Sequence, residues 1–159
     1  MSRGKRVFVI GLLAVATVPL VYVLTRPSTG EPLTEERLAE ARARWAERGP
    51  RSYALDVDVR GASHHIEVRD RVVVTMTTDG SPVRADAREY WSIDGMFRFL
   101  SEELSNLQRV EAAYGVSDPG DVVLRAAFDA RYGYPARFLR HVLGQDRSVE
   151  WQVGSFEAR

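Results

Sequence analysis

The chain has no cysteine. That excludes disulfide staples, thiolate metal sites, a cysteine nucleophile and the lipid-modified cysteine of bacterial lipoproteins, so any membrane attachment must come from the polypeptide itself. Lysine is nearly missing as well: Lys5 is the single lysine among 22 basic residues, and 22 acidic residues bring the formal net charge to 0. Without an overall field the chain has no electrostatic reason to collect on nucleic acid, and no nucleic-acid partner is expected. The glycines are scattered rather than clustered between a strand and a helix, which excludes a phosphate-cradling loop, and no GxSxG elbow is present. No cofactor is expected, and no internal repeat or low-complexity tract is visible.

What is present begins with an apolar run. From Val7 to Leu24 no charged residue occurs, a stretch of roughly 18 residues that is long enough to cross a hydrocarbon core. Arg3, Lys5 and Arg6 precede it while only Arg26 follows closely, and this bias predicts the N-terminus inside and the rest of the chain outside the cytoplasm. Residues 1–25 therefore read as a signal anchor, 26–33 (rich in Pro, Gly and small polar residues) as a linker, and 34–159 as one extracytoplasmic domain. A cleaved secretory signal is the competing reading, and it places the domain on the same side.

Within the domain, Thr34 can cap a helix that Gly49-Pro50 stops, with Leu38, Ala41 and Trp45 on one face. Tyr53, Leu55, Val57 and Val59 alternate with Ala54, Asp56, Asp58 and Arg60, the period of a half-buried strand, and two further strands carry His64, Ile66, Val68 and then Val72, Val74, Met76 on the same face. Keeping Val68 and Val72 on one face calls for a loop of about three residues at Arg69 to Arg71. Asp79-Gly80-Ser81-Pro82 breaks the sheet. Ser92 then caps a second helix whose Ile93, Met96, Phe97, Leu100, Leu104 and Leu107 form one apolar stripe. Residues 108–121 read as a surface loop, followed by strands at about Val122 to Phe128, Arg137 to Leu143 and Ser148 to Phe156. The order predicts an α+β domain of two layers, an antiparallel sheet of about six strands with two helices on one face.

The stretches ARARWAERGPRSYALDVDV, SIDGMFRFLSEEL, FDARYGYPARF and SVEWQVGSFE resemble, in order, the landmarks of an uncharacterised bacterial envelope family, domain of unknown function 6174. Gly133-Tyr134-Pro135 after Asp129 is the most specific part of the likeness. The resemblance implies a small anchored envelope domain and carries no catalytic or cofactor residue with it. The chain departs from the family pattern in having no anchoring cysteine and no glycine at the Asp70-Arg71 turn.

Three groups of residues are chemical candidates. Asp56 and Asp58 share a strand face, a spacing that paired-carboxylate hydrolysis can use, and His65 with Glu67 and Asp58 has metal-like residue types. A wet strand face carries such residues for ordinary reasons, and no metal is expected. His64 reads as a histidine at the edge of the core. The hairpin Arg131 to Pro135 offers Arg131, Tyr132, Tyr134 and Arg137 either as a partner-binding tip or as anchors that pack back on the sheet. Arg125, Arg140 and His141 add to a mildly basic C-terminal region. The composite expectation is a non-catalytic binding module of the cell envelope, facing an envelope protein or an anionic envelope component. The alternatives are a small hydrolase or metal enzyme using Asp56, Asp58 and His65, and a folded spacer or ligand carrier between helix and sheet.

Overall fold

The computed structural model describes residues 30–159 except 86, 87 and 147. The proposed anchor at 1–25 lies outside the described residues; among those described, no helix is long and apolar enough to cross a membrane.

Two helices and one antiparallel sheet form the domain. The first helix, α1 (Glu35–Arg48), starts where Thr34 Oγ1 accepts the Arg37 amide at 3.3 Å, and Glu35 and Glu36 place negative charge at its N-terminal end. Helix α2 (Ile93–Asn106) starts at Ser92, whose Oγ accepts the Gly95 amide at 3.0 Å. The strands are β1 (Glu31–Pro32), β2 (Tyr53–Val59), β3 (Ala62–Arg69), β4 (Val72–Thr78), β5 (Ser81–Pro82), β6 (Val122–Phe128), β7 (Pro135–Val142) and β8 (Ser148–Ala158). They lie in the order β1-β6-β7-β8-β2-β3-β4-β5, every pair antiparallel.

The sheet thus has eight strands rather than about six, because two short segments join its edges. Glu31 and Pro32, within the expected linker, pair with Arg125 and Ala126, and the next residue, Leu33, is buried in the core. Ser81 and Pro82, expected to break the sheet, fold back on Thr77 and Thr78 across the turn at Asp79-Gly80, whose positive φ angles of 47° and 80° suit a two-residue hairpin turn. Both edge strands are two residues long and contain proline, which has no amide to offer a further strand.

The turn between β3 and β4 also differs from expectation. Only Asp70 and Arg71 lie in it, both at positive φ, so Arg69 pairs with Val72. This turn sets Val73, not Val72, opposite Val68, and a bulge at Glu67/Val68 then shifts the register by one so that Met76 lies opposite Ile66. Val72 in consequence points to solvent and is 64% exposed.

Residues 107–121 contain more order than a loop. A 3-10 turn (Leu107–Arg109) continues α2, a short helix α3 (Val110–Tyr114) follows, and Gly115 at φ 73° ends it, with Val110 buried beneath.

The core lies between one sheet face and the helices. Leu38, Ala41 and Trp45 of α1 and Ile93, Met96, Phe97 and Leu100 of α2 pack on Tyr53, Leu55, Val57, Ile66, Val68, Met76, Leu124, Ala126, Phe138 and Trp151. Burying each of the larger side chains contributes about 1.5–3 kcal/mol. The opposite sheet face carries Asp56, Asp58, His65, Glu67, Arg137 and Gln152 and faces water.

Candidate functional site

The two ends of the core face are covered differently. At the end where β2 begins, Tyr53 is buried with its ring edge-on to Trp45 at 5.5 Å and stacked on Phe156 at 5.3 Å. Its hydroxyl accepts the Ile93 amide at 2.8 Å, which ties β2 to the start of α2, and burial pushes its pKa up. The Trp45 indole N–H donates to Asp94 at 3.3 Å.

The hairpin tip belongs to this closed end. Tyr134 stacks on Phe156 at 4.5 Å and Tyr132 leans on the same ring at 5.6 Å. Gly133 has φ +84°, and a Cβ there would lie 2.5 Å from the Ala41 carbonyl oxygen, so the turn presses directly on α1. Pro135 opens β7 opposite Phe128. Arg131 lies over the Tyr132 ring, whereas Arg137 emerges on the other sheet face, ion-paired with Glu150. The four residues Arg131, Tyr132, Tyr134 and Arg137 therefore do not share one surface.

The carboxylate and histidine candidates are on the wet face, in a different arrangement from the one their spacing suggests. Asp56, not Asp58, is opposite His65: its Oδ1 bonds His65 Nδ1 at 2.7 Å and its Oδ2 accepts Ser155 Oγ at 2.6 Å. Those bonds, with Ser155 first, hold the Asp56 carboxyl below its usual range. Asp58 accepts the Gly61 amide and serves the turn. Glu67 is engaged by Arg159 at 2.8 Å. Serine is bonded to aspartate and not to histidine, so the three do not form a relay for nucleophilic attack. Among the described residues no group of three or more His, Asp or Glu is placed to hold a metal ion.

Glu103 was not singled out by its sequence, yet it is 4% exposed and pairs with Arg140 at 2.6 Å while accepting the Tyr114 hydroxyl at 3.0 Å. Burial, reinforced by the Glu103 charge, pushes Tyr114 up to about 12, which keeps it a neutral donor. The signal was available: Glu103 follows Leu100 by one helical turn and so lies beside the apolar stripe. Its partners fix α2 to β7 and the α3 segment.

At the far end of the strands the layers part. A cleft of about 390 Å³ opens between α2 (Met96, Phe99, Glu102), the sheet (Val59 of β2, Val149 and Trp151 of β8) and the short 3-10 turn Glu89–Trp91, which contributes Tyr90 and Trp91. Its wall is almost wholly apolar, and among the described residues Glu102 is the one charged residue lining it. The walls are braced from behind. Phe138, fully buried, meets Phe99 edge-on at 5.2 Å and Trp151 at 5.9 Å, and His64 stacks on Trp91 at 4.9 Å while sharing a 2.8 Å hydrogen bond with Thr78.

None of Tyr90, Trp91, Phe99, Val149 and Trp151 was a sequence candidate. Phe99 gave the one hint, a large aromatic falling outside the helical stripe of Met96, Phe97 and Leu100.

Fold and cleft together define a two-layer α+β domain with a preformed apolar recess between its layers. Comparison of the chain with family models, with curated proteins and with solved structures found no match.

Proposed function

We propose that this chain is a membrane-anchored, extracytoplasmic binding protein without catalysis of its own, and that its domain takes an apolar ligand into the cleft between α2 and strands β2 and β8. The cleft's wall carries this reading. Its volume of about 390 Å³ suits a small molecule, and seven of the eight described residues that line it are apolar or aromatic. The hairpin tip is a poorer contact surface, because its tyrosine rings are spent on Phe156.

Asp56, Asp58 and His65, on which a hydrolase or metal enzyme would be built, do not line this cleft. The anchor rests on the uncharged run Val7 to Leu24 and the basic residues before it. Alkaline phosphatase fused after Arg159 is then expected to be active in a bacterial host, and an active cytoplasmic reporter at that position would refute the topology.

The cleft is tested with Nile red, a neutral apolar dye. Full-length protein in a neutral maltoside detergent is expected to enhance and blue-shift its emission above the detergent background. Val149→Phe, which fills the recess from a half-buried position, is expected to abolish the increment while shifting stability by less than about 1.5 kcal/mol. Equal emission from a folded Val149→Phe variant would refute the site.

A further inference from the structure

Resting on the cleft as the ligand site, we propose that its ligand is an organic cation, an ammonium group on an apolar body, with Glu102 as counter-ion. Four aromatic side chains line the recess: Tyr90, Trp91, Phe99 and Trp151. Aromatic faces carry negative potential and attract cations, most strongly when water is excluded. Among the described residues the single charge in the lining is a carboxylate, and it is exposed at the rim, where a ligand's charged end can reach it while the body stays among the rings.

The protein already uses the same attraction next door: the Arg98 guanidinium lies 5.7 Å from the centroid of the Tyr90 ring. Arg98 itself does not line the cleft; it stands one helical turn before Glu102 on α2. The braces behind the wall matter too. Phe138 fixes Phe99 and Trp151, and His64 covers one face of Trp91, so the rings hold their places before a ligand arrives and little ordering remains to be done.

Three water-soluble probes of one size separate the alternatives: benzyltrimethylammonium, neutral 2-phenylethanol and anionic phenylacetate, titrated by NMR against the full chain in maltoside. The ammonium probe is expected to bind about fivefold or more tighter than the alcohol, with phenylacetate weakest. Glu102→Gln, at an exposed position, is expected to narrow that gap. Equal binding of ammonium and alcohol, or preference for phenylacetate, overturns the cation proposal but leaves the cleft standing. An unchanged gap in Glu102→Gln overturns the role given to Glu102. Binding of none of the three, or binding of all three undiminished in Val149→Phe, overturns the cleft reading itself.

Discussion

At one end of the core face Trp45, Tyr53, Tyr134 and Phe156 lie ring against ring beneath α1; at the other, Tyr90, Trp91, Phe99 and Trp151 stand around an open space. The materials are alike, and the strands are largely the same ones. What differs is the cover. Helix α1 and the 129–134 turn press on the first end so closely that a methyl group at Gly133 would collide with backbone. Over the second end only α2 and a 3-10 turn are available. Two helices of 14 residues, each about 21 Å long, cannot cover eight strands spaced about 4.8 Å apart. An aromatic cluster with a lid becomes core, and one without a lid lines an open recess.

The largest expected effect sharpens this contrast directly. Trp45→Ala removes a side chain that is 1% exposed, and is expected to cost about 3–5 kcal/mol in chemical denaturation without changing Nile red emission per folded molecule. The matching truncation at the open end, Trp91→Ala, is expected to cost about 1–2 kcal/mol, because that ring is half-buried, and to weaken the dye signal. Similar costs at both ends would break the comparison.

An effect between those two is expected from Gly133→Ala. The positive φ and the 2.5 Å approach to Ala41 both oppose a side chain, so a loss of about 2–3 kcal/mol is expected in thermal or urea unfolding. A neutral result would mean that the tip does not seal the closed end.

The smallest effect lies on the wet face and belongs to neither end. Asp56 has a lowered pKa, so its contribution to stability is present above its unfolded-state pKa and fades as pH falls through the folded-state value. Ser155→Ala removes the largest cause of that lowering, and carboxyl NMR is expected to show Asp56 titrating closer to the ordinary carboxylate range. Global stability at neutral pH should change by no more than about 0.5 kcal/mol, since the site is exposed. An unmoved Asp56 titration would show that His65 alone sets it.

Local chemistry was legible wherever a short-range rule governs it. Thr34 and Ser92 cap the two helices because their hydroxyls reach amides three residues on. Alternation marked Tyr53, Leu55 and Val57 as inward. Features set by distant partners were not legible. Glu31-Pro32 becomes a strand only because β6 presents Arg125 and Ala126, and the bulge at Glu67/Val68 lets a two-residue turn stand where simple alternation requires a three-residue loop. His65 could not be assigned its partner without the register of β2 on β3, which selects Asp56 over Asp58.

The sequence by itself determined the apolar run and its flanking charges, the helices with their caps, the strand periods and the separation of a dry sheet face from a wet one, because each depends on residues a few positions apart. The tertiary structure alone decided which aromatic rings are buried against one another and which surround a void. That depends on how far two helices extend across a sheet whose β8 and β2 are nearly a hundred residues apart in the chain, and Val59 and Trp151 share a wall only once those strands have paired.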